Sequence, residues 1–126
     1  MKIIHSAELT FVPASHEDPK SPGVFKKILL RADDFVQGKI QMVNSALLPT
    51  GRAFTPHYHE DMQEVFIIVR GNAKITVDAE EATLRDGDTV VIPVGSVHKM
   101  ESIGIEDVEY IVIGISKGTH GKTVVV

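Results

Sequence analysis

His57 and His59 stand two residues apart, Glu64 follows beyond them, and His98 comes later in the chain. In an extended segment, residues two apart point to the same face, so the first two imidazoles are placed to act together. Glu64 lies past the turn-like Glu60-Asp61-Met62, at the start of an apolar run, with Phe66 and Ile68 on its face. His98 follows the turn Pro93-Val94-Gly95 and belongs to a different strand. Three imidazoles and one carboxylate form a mixed nitrogen and oxygen donor set. Imidazole suits Fe, Ni, Cu and Zn, while carboxylate draws toward harder ions such as Mn. Four protein ligands leave two positions of an octahedral ion open, which a closed structural site does not offer. The set therefore predicts one divalent transition metal per chain (Mn, Fe, Ni, Zn or Cu) with a small-molecule ligand bound at it.

The elements that would hold these residues read as strands. Lys39 to Leu48, Gln63 to Val69, Ala73 to Val77, Thr89 to Ile92 and Val108 to Ile115 are rich in strand formers. Pro49-Thr50-Gly51, Arg70-Gly71-Asn72, Asp86-Gly87-Asp88 and Pro93-Val94-Gly95 punctuate them as turns. No segment has a sustained helical period. Asp78 to Arg85 carries helix formers but is short and sits between strands. Pro13 to Gly23 reads as an early loop, and Lys117 to Lys122 as a mobile tail. Many short strands with regular turns predict an all-β sandwich or barrel. The reading is a single domain over residues 1–126.

Val65 to Val69, Val90 to Ile92 and Ile111 to Ile113 are apolar on both faces. A strand with one face in water alternates. A second copy of the chain, as a homodimer, or the chain's own N-terminal arm must cover the outer face.

With 126 residues the chain is long enough to bury a core, and 43% hydrophobic with 24% charged residues is ordinary for a globular protein. The net charge is −4, no stretch clusters Lys and Arg, and aromatics are few. That combination argues against nucleic acid, and the acidic balance argues against an anionic membrane surface. There is no cysteine, which excludes disulfides and thiolate sites and fits a reducing, cytoplasmic setting. No secretory leader and no membrane-spanning apolar run is expected. His5, His16 and His120 lack metal-binding company and read as solvent-exposed. Met42, Phe54, Phe66 and Met100 read as core that could also line a pocket beside the metal, Met100 foremost because it shares the parity of His98.

The spacings resemble the cupin superfamily. Its first motif, G(X)5HXH(X)3,4E(X)6G, is matched over 51–71 by Gly51, His57, His59, Glu64 and Gly71. Its second, G(X)5PXG(X)2H(X)3N, is matched over 87–102 by Gly87, Pro93, Gly95 and His98, with Ser102 where the family often has Asn. The resemblance implies a double-stranded β-helix, or jelly roll, with metal at its wider mouth. It also implies a metal-dependent enzyme of dioxygenase, decarboxylase or isomerase type acting on an oxygen-bearing small molecule. The other role it implies is a non-catalytic module that binds sugars or other small molecules. No acid or base outside the ligand set is identifiable from the sequence.

Overall fold

The computed structural model describes residues 1–118 and 122–126. Its strands are β1 (Lys2–Ile4), β2 (Val12–Pro13), β3 (Phe25–Lys26), β4 (Lys39–Leu48), β5 (His57–His59) and β6 (Met62–Arg70). They continue with β7 (Ala73–Val77), β8 (Glu80–Leu84), β9 (Thr89–Ile92), β10 (His98–Ser102), β11 (Val108–Ser116) and β12 (Thr123–Val125). One five-stranded sheet runs β1-β9-β6-β11-β4, and a second runs β12-β5-β10-β7-β8. All pairings are antiparallel, and β2 and β3 form a small hairpin apart. This is the expected jelly roll.

The core lies between the two sheets. Phe66, Ile68, Val90, Ile92 and Val112 of the first meet Ala73, Ile75, Val77, Leu84 and Met100 of the second. The alternation of β7 shows why the chain folds so: Ala73, Ile75 and Val77 are buried while Lys74 and Thr76 are less so. Asp78 to Arg85, with its helix formers, is mostly strand β8. A two-residue loop returns β8 along β7 with Val77 opposite Glu80, and Asp78 takes φ +53, a left-handed conformation that Asp tolerates. Gly71 has φ +101, and a Cβ there would lie 2.9 Å from the Val108 Cα, so glycine is required by both conformation and space.

The strands β6 and β9 are buried on both faces, Val65 and Val91 included. Of the two expected covers, the N-terminal arm is present here. Strand β1 extends the sheet by pairing with β9. The Gln63 carboxamide accepts from Val36 N at 3.1 Å and donates to Asp34 O at 2.9 Å, which fastens residues 34–36 over the outer face. Lys2 pairs with Asp34, so the two arm segments are also tied to each other. The arm does not cover everything: Val43, Leu47 and Val69 remain exposed.

His5 departs from expectation. It is partly buried, and its Nδ1 lies 3.1 Å from Asp88 Oδ2, pinning the arm to the β8–β9 connection. His16 is exposed, as expected. The loop expected from Pro13 begins one residue inside β2. His120 and part of the Lys117 to Lys122 tail lie outside the described residues. Among the described residues no helix is long and apolar enough to cross a membrane.

Candidate metal centre

Strand β5 presents His57 and His59, and β10 opens with His98 directly opposite His57. Those three belong to one sheet. Glu64 comes from the other, on β6 between Ile92 of β9 and Gly114 of β11. The set therefore bridges both sheets. One donor atom from each of the four lies within 4.8 Å of all the others. The rings of His57 and His98 are 4.4 Å apart, and those of His57 and His59 are 5.1 Å apart. His59, Glu64 and His98 are buried, and His57 is partly open.

Hydrogen bonds fix which nitrogen each ring offers. His57 Nδ1 lies 2.7 Å from Thr55 O, and His98 Nδ1 lies 2.9 Å from Ser96 O. A carbonyl only accepts, so Nδ1 carries the proton in both rings and Nε2 of the neutral imidazole keeps its lone pair. His59 Nδ1 lies 3.0 Å from Thr123 Oγ1 on β12, which leaves its Nε2 to the centre as well. Such outer contacts orient metal-binding imidazoles.

Glu64 Oε1 lies 2.8 Å from His59 Nε2 and 3.0 Å from His98 Nε2. Neutral imidazole lone pairs facing a carboxylate oxygen are acceptor against acceptor, and they need a cation between them. His98 Nε2 and Glu64 Oε1 are buried and face each other at 3.0 Å, as members of a ligand set awaiting a cation would. Two ligand atoms about 2.1 Å from one ion and at right angles stand about 3 Å apart, so the spacing and the donor chemistry fit a divalent metal.

Without an ion, proton-bearing His59 and His98 rings would hydrogen-bond the Glu64 carboxylate, and a bound cation would take the place of those protons. Burial pushes the Glu64 carboxyl up, but the His59 and His98 imidazoles outweigh it and hold the group at about 2. Burial, joined by His98 and His59, lowers His57 below the usual imidazole value. Burial and then the Glu64 charge push the Tyr110 phenol up to about 12, so it stays protonated.

A cavity of about 310 Å³ opens onto His57, His59 and Glu64. The pleat of β4 turns Met42, Asn44 and Ala46 into it, and Phe54, Phe66, Tyr110 and Val112 complete the wall. Met42, Phe54 and Phe66 thus take the pocket role open to them. Met100 does not line the cavity. It is fully buried in the core, because β10 turns it toward Ile75 and the interior beneath His98. Sequence reasoning left Tyr110 unassigned and missed Asn44 and Thr123. Parity along β4 could have pointed to Asn44. Thr123 is 64 residues from His59, and no linear signal joins them. A larger cavity, about 470 Å³, lies by His5, Arg85 and Asp88, away from the four ligands.

A family model described as cupin domain matches residues 45–114, more than half of the chain. The uncharacterized protein MJ1618 of Methanocaldococcus jannaschii is 34% identical over 54% of this chain and 54% of its own. Mannose-1-phosphate guanylyltransferase of Klebsiella pneumoniae is 29% identical over 71% of this chain, which spans only 19% of that enzyme. A solved oxalate oxidase, in complex with the substrate analogue glycolate, superposes with a TM-score of 0.60 at 22% identity. That superposition covers 67% of this chain and 45% of the oxidase, and it shows a shared fold.

Proposed function

The chain belongs to the cupin domain family, and from that premise we propose that it holds one divalent transition-metal ion at His57, His59, Glu64 and His98 and acts on an oxygen-bearing small molecule there. The observation that carries this reading is the convergence of four donor atoms beside an open cavity, with Nε2 directed inward by the contacts at Nδ1. Bound there, a divalent ion would supply Lewis acidity, with open positions for the ligand or for O₂.

The chain's own residues do the rest. Glu64 contributes the one negative charge of the ligand set. Phe54 packs against both His57 and His98, with ring centroids 5.3 and 5.9 Å away, and helps hold two of the imidazoles in place. Tyr110 keeps its proton and offers a neutral hydroxyl to a ligand.

Metal analysis of untagged, chelator-free protein should find about one equivalent per chain, and metal addition should raise the melting temperature. His59→Ala should abolish that rise. No metal and no shift with Mn, Fe, Ni, Zn or Cu would sink the proposal.

The second reading, a non-catalytic binding module, draws support from the cavity wall. Among the described residues that line it, none outside the ligand set is an ionisable acid or base except Tyr110, held protonated. Ligand binding without turnover of dicarboxylates, diketones and sugar phosphates would favour the module.

We also propose a homodimer. Among the described residues, the long strand β4 is an unpaired sheet edge that turns exposed Val43 and Leu47 to the face opposite the cavity. An apolar edge of this kind calls for a cover. Light scattering should give twice the chain mass, and Leu47→Lys should reduce it to one.

A further inference from the structure

The metal cavity has an uneven wall. Part of it carries His57, His59 and Glu64. The remainder is Met42, Ala46, Phe54, Phe66 and Val112, with two neutral polar groups, Asn44 and the Tyr110 hydroxyl. Among the described residues lining it there is no Lys and no Arg. A phosphate, or a second carboxylate reaching away from the ion, would find no partner of opposite charge there, and burying an unpaired charge is costly.

The charge of the site sets a second limit. Glu64 is the only anion among the ligands, and the imidazoles are neutral when they coordinate. With a divalent ion the set sums to one positive charge. A singly charged ligand neutralises it, whereas a dianion leaves an excess negative charge in an apolar cavity. The size sets a third limit: about 310 Å³ lies at the small end of ligand pockets.

Resting on the metal-binding reading above, we propose that this site takes a small, singly charged O,O-chelator with an apolar or aromatic body, in preference to a dicarboxylate or a phosphorylated sugar. Its two oxygens would coordinate the ion held by His57, His59, Glu64 and His98. The body lies between the Phe54 and Phe66 rings, whose centroids are 6.3 Å apart in an edge-on arrangement, and the Val112 side of the sheet. The Tyr110 hydroxyl donates a hydrogen bond to the ligand, and Asn44 offers a neutral amide at the exposed rim.

Calorimetric titration of nickel-loaded protein with tropolone, oxalate and glucose 6-phosphate tests this, with bound nickel assayed after each titration. Tropolone, a singly charged aromatic chelator, should bind about tenfold more tightly than either other probe, with nickel retained. Phe54→Ala should weaken tropolone about fivefold more than it weakens oxalate, since both lose the support that Phe54 gives His57 and His98 but only tropolone loses a ring contact. Asn44→Lys, at an exposed position on the rim, should raise oxalate affinity by supplying the missing charge. If nickel stays bound but oxalate or glucose 6-phosphate equals or exceeds tropolone, the ligand class is wrong and the metal reading survives. Tropolone that strips nickel from the protein likewise overturns the class alone. Protein that never takes up nickel overturns both.

Discussion

Thr123 Oγ1 lies 3.0 Å from His59 Nδ1, across the pairing of β12 with β5. With Nε2 given to an ion, Nδ1 would carry the proton and the hydroxyl would accept it, holding the ring with Nε2 toward Glu64. Thr123→Val keeps the strand shape and removes the acceptor. It should lower metal affinity about 10- to 100-fold with the fold intact. Competition against a chromogenic chelator measures the first, and circular dichroism the second. Unchanged affinity would show that Thr123 does not set the orientation of His59.

Acid should weaken the metal-free protein in two stages. Burial, with its neighbouring imidazoles, lowers His57, and a histidine whose folded value is depressed costs stability once pH falls below the ordinary value of 6.5. Glu64 is held at about 2 against an ordinary 4.5. Its contribution is present above 4.5 and is lost as pH falls from there through about 2. Both shifts have the same sign, so stability declines toward acid. Glu64→Gln should flatten the lower stage and lower the neutral-pH stability. Urea midpoints between pH 7 and pH 3 read this out, and parallel profiles for the two proteins would contradict it.

Two turn glycines should respond differently to alanine. Gly51 has φ +76 and open space around its Cβ position, so Gly51→Ala costs only the left-handed strain, about 1 kcal/mol. Gly71 adds the approach to Val108 Cα at 2.9 Å and to Asp107 O at 2.8 Å, both backbone atoms that cannot swing aside. Gly71→Ala should therefore be clearly the more destabilising in equilibrium unfolding. Equal losses would mean that β11 shifts to accommodate it.

Much of this arrangement was legible because it is written in short range. The spacing of two between His57 and His59 needs only strand alternation to become a shared face. Gly51, Gly71, Gly87 and Gly95, read as turn residues from the sequence, all take positive φ. The strand β8 was harder, since Glu80, Glu81 and Ala82 are helix formers by local preference, and pairing with β7 overrides that preference. The apolar outer faces of β6 and β9 posed a question with two answers. The hydrogen bonds of Gln63 to the distant 34–36 segment supply one of them, and no periodicity could reveal a contact of that separation. Met100 was placed by parity with His98, but parity gives a face and not a depth: the residue lies below the cavity floor.

The acceptors at His57 and His98 have an evolutionary consequence. Thr55 and Ser96 meet these rings through main-chain oxygens, each two positions upstream of its histidine. No change of side chain at either position deletes such an acceptor, so drift there leaves the ring orientation standing. His59 meets a side chain instead, Thr123 on β12, that a point mutation can alter. Selection thus has an adjustable anchor at Thr123, beside two main-chain anchors that are nearly immune to substitution. Descendants of this chain can retune how tightly an ion is held through a single codon, without dismantling the cage.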